Sequence, residues 1–227
     1  FYRSLGVTLR PVFGSAALSG ICALDMSLTP ILGSTGKAVP GVRVRTAGDM
    51  LEVQGPNVFL GYLGEFAVPA DSWFPTGDAG SVSAQSDLKV LGSLSNAFFL
   101  TNGAKVYPEQ IELELRSCPL IAGAIVFGEG KSFVGAIVSV EREALTALSK
   151  KLNMTIDELA ASTHTLSEID AKVQQVNATL PETHRIKKYK VIPREFSVKE
   201  SETTSTIVLL RRVLLTKFES LINEIYH

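Results

Sequence analysis

Two apolar, β-branched runs, residues 121–127 and 133–140, stand either side of Gly128-Glu129-Gly130-Lys131, and that spacing predicts an antiparallel hairpin. The surrounding pattern is helical. Pro108 sits where a first helical residue is favoured, and Ile111, Leu115 and Cys118 mark one face of a helix ahead of the hairpin. Helical periodicity dominates residues 142–180, with Thr155 three residues before Glu158 in capping-box spacing and Ser167 as a weaker second start. A basic stretch, 185–190, runs into a strand expected at 189–192. A last amphipathic helix is expected from 208 to 225, with Leu210, Leu214, Phe218, Leu221 and Ile225 on one side. Upstream of Gly92 the pattern changes to short apolar runs broken by turn residues, such as Met50-Leu51-Glu52-Val53-Gln54 followed by Gly55-Pro56-Asn57. These predict antiparallel strands and a small barrel. The chain therefore reads as two α+β units, 1–91 and 92–227, meeting near Gly92.

Bulk numbers narrow the function classes. With 227 residues and 45% hydrophobic content the chain can bury a sizeable core. Its 22 Lys and Arg against 23 Asp and Glu leave a formal charge of -1, so no overall field steers it onto nucleic acid or anionic lipid. Cys22 and Cys118 are the only cysteines, without metal-ligand spacing or a nearby His, which argues against a disulfide framework or a zinc site. Both are expected to be buried thiols in a reducing, intracellular compartment. The apolar region 4–33 is broken by Pro11, Gly14, Gly20 and Pro30 and has no uninterrupted apolar stretch of about 18 residues, so no transmembrane segment is expected. Phe1 is not an initiator and opens no signal sequence, so the chain is expected to begin inside a longer protein.

Four ordered segments narrow the reading further. They are 33–42, a glycine-proline turn; 48–62, containing Leu51-Glu52-Val53-Gln54-Gly55-Pro56-Asn57-Val58-Phe59; Asp71-Ser72-Trp73-Phe74-Pro75-Thr76-Gly77-Asp78; and Val106-Tyr107-Pro108-Glu109-Gln110-Ile111-Glu112. In series they resemble the motifs of the adenylate-forming superfamily of AMP-binding, acyl-activating enzymes. The region 141–180, followed by Val191-Ile192-Pro193-Arg194-Glu195-Phe196, is similar to the C-terminal third of long-chain acyl-CoA synthetases, the fatty-acid–CoA ligases. The resemblance implies an α+β fold. In it, 1–91 ends the large AMP-binding domain with a small antiparallel β-barrel subdomain, and 92–227 is the mobile C-terminal domain with a long-chain-type helical insertion at about 141–180. The implied activity is ATP- and Mg²⁺-dependent activation of a fatty acid to an acyl-adenylate, then transfer to coenzyme A.

The same resemblance assigns functional positions, and most hold unsuitable side chains. The phosphate loop would lie upstream of Phe1. Gly33-Ser34-Thr35-Gly36-Lys37 imitates one but leads into a Val-Pro-Gly turn, so a solvated turn is expected there. The metal-holding Glu position falls on Ala17, which cannot ligate Mg²⁺; Asp25 is read as a cap or turn residue before it is read as a substitute. Asp78 matches the carboxylate that accepts ribose hydroxyls, or it serves only the Thr-Gly-Asp turn. Ser93 replaces the ribose-clamping Arg, Ser95 a Lys, and Asn96 the hinge Asp. A serine cannot supply the forked, permanent charge of a guanidinium. Val208 stands at the adenylation Lys, and Arg211 and Arg212 read as a solvated or acid-paired helix face. His164, His184 and His227 match no ligand spacing and are expected at the surface.

The lost contacts are each commonly worth about 2–4 kcal/mol of transition-state stabilisation. The leading expectation is a catalytically degenerate acyl-CoA-synthetase-like protein kept as a structural or assembly subunit, with no metal and no cofactor in this chain. Its partners would be an upstream AMP-binding region, of the same or another chain, and proteins of a larger assembly, mitochondrial or plastid complexes being the settings envisaged. The mean hydropathy of +0.21 is compatible with extra contact area. The alternatives are an active ligase using ATP, Mg²⁺ and CoA with an upstream phosphate loop, and a nucleotide or acyl-CoA sensor.

Overall fold

The computed structural model describes residues 5–27, 33–64, 66–69, 71–152, 154–204 and 208–227. Two compact units follow one another along the chain, divided between Ser95 and Asn96.

In the first unit, β1 (Val12–Ser15), β2 (Gly20–Leu24) and β3 (Lys37–Ala38) form one antiparallel sheet. A second carries β4 (Arg43–Ala47), β5 (Met50–Gln54), β6 (Phe74–Val82) and β7 (Leu88–Ser93) in sequence order. Alternation sets the faces of β5, whose Leu51 and Val53 are fully buried while Glu52 points outward to pair with Arg45 of β4 at 2.7 Å. Both sheets feed one core of Phe13, Leu18, Cys22, Ala23, Val42, Leu51, Val53 and Leu88. Leu88 also stitches them together, donating its N–H to Gly36 O and accepting from Thr35 N, both at 2.8 Å. A Cβ on Gly36 would fall 2.2 Å from the backbone of Leu24 and Asp25, and its φ is +87°, so only glycine fits. The segment that imitates a phosphate loop is thus a packed junction. Its Ser34 is buried rather than solvated, donating to Leu88 O at 3.3 Å. The expected barrel takes the form of two sheets around a common core; β3 has two residues and pairs only with β2, and no closed ring of strands is found among the described residues.

The second unit opens with a small ladder of β8 (Phe98–Phe99) and β9 (Lys105–Val106), then α1 (Pro108–Leu115). The predicted hairpin follows as β10 (Ile121–Phe127) and β11 (Val134–Val140). After α2 (Arg142–Leu152), α3 (Ile156–Ala160) and α4 (Thr163–Thr179), the chain returns as β12 (Ile186–Ile192), parallel to β11, and ends in α5 (Arg211–Lys217) and α6 (Glu219–Tyr226). Every residue of β11 is buried because helices cover both sheet faces. Ala124, Val126, Ala136 and Val138 join the cluster containing Ile111, Leu115, Leu145, Ile169 and Val173, whereas Ile125, Phe127 and Ile137 join Leu214, Phe218 and Ile225. This two-sided burial is why the strands read as nearly unbroken apolar runs.

Several local expectations change. The capping box forms, with Thr155 N and Glu158 N donating to each other's side chains at 2.9 and 3.3 Å. The second helix start is Ser162, which accepts from Thr165 N; Ser167 lies inside α4 with its hydroxyl on His164 O. Strand β12 starts at Ile186, three residues earlier than expected, because the Asn177 amide bonds both its N–H and its C=O at 2.8 and 2.9 Å. The last helix starts at Arg211 rather than Val208 and divides at Phe218. His164 and His227 are exposed, but His184 is half-buried, with Nε2 2.9 Å from Lys105 O. Cys22 is buried and Cys118 only partly so. Among the described residues no helix is long and apolar enough to cross a membrane.

Candidate functional site

The first unit gathers Asp78, Ser93 and Cys22. Asp78 and Ser93 are register partners across β6 and β7, the spacing that would let two side chains grip one ligand edge. The Asp78 turn is built locally. Gly77 has φ +79°, Thr76 Oγ1 accepts from Asp78 N at 3.1 Å while donating to Leu51 O, and Gly77 O accepts from Leu94 N. Asp78 is half-buried, and its charge is felt at Cys22 on β2 of the other sheet: burial, then the Asp78 carboxylate, push the Cys22 thiol up to about 11. Ser93 Oγ lies 2.9 Å from Ser95 Oγ, so one hydroxyl pair stands where the resemblance places two cations.

Ala17 belongs to a 3-10 turn after β1 and contributes only its carbonyl, which accepts from Phe59 N at 2.9 Å. Asp25 is a turn residue, its carboxylate accepting from Ser27 N and Oγ at 2.8 and 2.5 Å. Neither supplies a built metal site, and no cluster of three or more His, Cys, Asp or Glu suited to a metal occurs among the described residues. Asp78 carries acceptor oxygens of the kind that sugar hydroxyls use.

In the second unit, Asn96 Nδ2 donates to Glu109 Oε1 at 2.5 Å, tying the first residue of the unit to the first turn of α1. Val208 sits in a hairpin closed by a Thr203–Leu209 bridge; Thr204 N donates to Val208 O at 2.9 Å and Val208 N to Thr204 Oγ1 at 3.1 Å. Its side chain is 59% exposed. This hairpin replaces the start of the expected helix, and Leu210 N donating to Glu202 O closes its base. Arg211 then points inward, donating to Glu112 Oε1 at 2.5 Å and Val126 O at 2.8 Å, so it is acid-paired, while Arg212 is exposed.

The residue that sequence reasoning missed is Glu202. Its fully buried carboxylate receives both Arg194 guanidinium nitrogens at 2.7 Å, Ser197 N at 2.9 Å and Lys217 Nζ at 2.9 Å. Burial alone would raise its pKa, but Arg194, Lys217 and Ser197 outweigh burial and hold it at about 2. The available signal was an acid in a Ser/Thr-rich stretch eight residues after an arginine, which is too common a pattern to act on.

Comparison with known proteins places these features in a family. Residues 96–227 match the family model of the AMP-binding enzyme C-terminal domain. The whole chain is 34% identical over 236 residues to a long-chain-fatty-acid–CoA ligase, FadD15, of Mycobacterium tuberculosis, covering 39% of that protein. It is 24% identical over 258 residues to the ligase ACSBG1 of Mus musculus, covering 36% of it. Thus the chain spans well under half the length of these curated relatives. The adenylation domain of a carboxylate reductase from Mycobacterium chelonae superposes with a TM-score of 0.71 at 21% identity, over 99% of this chain and 36% of the other. The chain belongs to the AMP-binding enzymes, and residues 96–227 are their C-terminal domain.

Proposed function

We propose that this chain is the C-terminal part of an acyl-CoA-synthetase-like protein that has lost adenylation chemistry and is kept for its shape, as a structural or assembly subunit. The observation that carries this reading is Val208. Its hairpin is anchored by a buried, fourfold-bonded Glu202, yet an apolar side chain stands at the position that the resemblance gives to a phosphate-contacting lysine. A valine neutralises no developing charge. Ala17 and Ser93 support the same reading in the first unit, and Asn96 supports a changed hinge, because its amide donates to Glu109 where an Asp would meet a like charge.

When bound, ATP would supply the activating phosphates and CoA the thiol; this chain's own contribution would be the Asp78 carboxylate on ribose hydroxyls. That carboxylate favours a second reading, a nucleotide sensor that binds without reacting. ATP–pyrophosphate exchange on the full-length protein with a long-chain fatty acid tests the first reading: no exchange above background is expected. Exchange that disappears in Asp78→Ala would overturn it and install an active ligase. Calorimetry with ATP and AMP separates the other two, since heat lost in Asp78→Ala identifies the sensor. Stoichiometric co-purification in a larger assembly is expected of the structural role, and a lone monomer counts against it.

A further inference from the structure

We propose that Glu141 and Glu195, which meet at the N-terminus of α2, share one proton and act as a pH-sensitive latch: protonated, the pair ties the base of the Val208 hairpin to that helix, and doubly ionised it lets go. Both carboxyls serve the same helix end. Leu145 N donates to Glu141 O at 3.1 Å, so Glu141 caps α2, and its Oε1 also accepts from Glu143 N at 3.4 Å. Glu195 takes another of the N–H groups left over at the helix start, Arg142 N donating to its Oε1 at 3.0 Å.

Holding both acceptors on one helix end brings the two carboxyls into hydrogen-bond contact with each other, which requires a proton between them. Burial, and then the Glu195 charge, raise the Glu141 carboxyl above its ordinary range, against the Glu143 N–H, which lowers it. The folded pair therefore holds its proton more tightly than the unfolded chain does. Its contribution is full at acid pH and is lost as pH rises through the raised value. Glu195 is exposed and Glu141 only half so, which makes Glu195 the side chain that swings away.

The hairpin feels this through the neighbours of Glu195. Arg194 donates to Glu195 O at 3.0 Å and, with both terminal nitrogens, to the Glu202 carboxylate at 2.7 Å. Glu202 N donates to Ser197 O at 3.0 Å, and Phe196 packs on Gly123, where a Cβ would lie 3.0 Å from its ring. Glu141, Glu195, Thr203 and Leu209 line one cavity of about 180 Å³, so the carboxyl pair and the bridge that closes the hairpin border the same space. Of the other charges there, Arg116 at the end of α1 is exposed and forms no ion pair with either carboxylate among the described residues. Glu143 adds negative charge, and Arg194 is committed to Glu202. Strands β10 and β11 contribute only the uncharged Ala122, Gly123 and Ser139.

The experiment is site-resolved hydrogen exchange on the full-length protein between about pH 5 and about pH 8, read as protection relative to the unfolded rate at each pH. Protection of Arg142 N and of Leu210 N, which closes the hairpin base on Glu202 O, is expected to fall about threefold or more as pH rises. Glu195→Gln keeps an oxygen for Arg142 N and gains an amide that donates to Glu141, so both amides should stay at their acid-side protection throughout. Glu195→Ala, with no acceptor, should leave Arg142 N poorly protected at every pH. Glu114→Gln, at an exposed position of α1, should behave like the parent. Protection in the parent that does not change with pH overturns the proposal, as does a slope that survives in Glu195→Gln or vanishes in Glu114→Gln. A slope confined to Arg142 N, with Leu210 N unmoved, overturns the link to the hairpin. None of these outcomes depends on adenylation.

Discussion

The Gly36 junction of the first unit and the Val208 hairpin of the second both look, in sequence, like phosphate-handling segments, and they are held by opposite means. The junction is held by steric fit: a glycine against the backbone of Leu24 and Asp25, with Leu88 hydrogen bonds on either side. The hairpin is held by charge, through Glu202 and its two cations. Steric junctions fail abruptly when an atom is added, whereas charged ones titrate. That contrast orders the expected effects.

The largest belongs to Gly36→Ala. Strain at φ +87° and backbone overlap at 2.2 Å together should cost about 4 kcal/mol, lowering the denaturant midpoint of the first unit at every pH. A loss under about 1 kcal/mol would mean that the junction yields to an added methyl and is not held by steric fit.

Next comes Glu202→Gln, expected to cost about 3 kcal/mol, because it leaves Arg194 and Lys217 without their shared anion and Ser197 N with a weaker acceptor. Its pH signature distinguishes it from the glycine variant. The native pKa of Glu202, about 2, lies below the usual carboxylate range of the unfolded chain, so its contribution is full above about pH 4.3 and is lost as pH falls towards 2. Parent and variant stabilities should therefore converge on acidification. Parallel curves down to pH 2 would remove the electrostatic account of the hairpin.

How much of this was legible follows from how local each cause is. The hairpin 121–140 and the Thr155–Glu158 cap were readable because strand alternation, turn glycines and cap spacing act within a few residues. Ser162 was missed because choosing between two serines depends on how α4 packs Ile169 and Val173, which is not a local matter. Expecting one long helix from 208 to 225 failed for a similar reason. Apolar spacing there suits a helix, but the 99-residue reach of Arg211 to Glu112 fixes where α5 begins. The family motifs located Asp78 beside Ser93 only as separate positions; their register pairing required the sheet. Glu202 left almost no sequence trace, since its partners come from either side of the hairpin it supports.

A smaller effect is expected from Asn96→Asp, which converts a 2.5 Å amide–carboxylate bond to Glu109 into two facing carboxylates. The cost should be about 1–2 kcal/mol at neutral pH. Here the sign is the reverse of Glu202: facing carboxylates hold a proton more tightly folded than unfolded, so the deficit should shrink as pH falls. A variant as stable as the parent at neutral pH would show that the amide is not what ties residue 96 to α1.

The smallest effect on stability, and the most pointed for the comparison, is that of Val208→Lys. Val208 is 59% exposed and its hairpin bonds are made by its backbone, so the change should stay within about 0.5 kcal/mol by chemical denaturation. If the hairpin keeps its geometry through Glu202, a lysine placed there lands on a preorganised support. The first unit would still hold Ala17 and Ser93 at the other two charged positions, and groups that act together are not restored singly. Pyrophosphate exchange by full-length Val208→Lys is therefore expected to stay at background. Exchange appearing on this substitution alone would mean that the first unit, despite Ala17 and Ser93, still holds a competent nucleotide, and that the degeneracy resides in one side chain on an intact, charge-anchored loop.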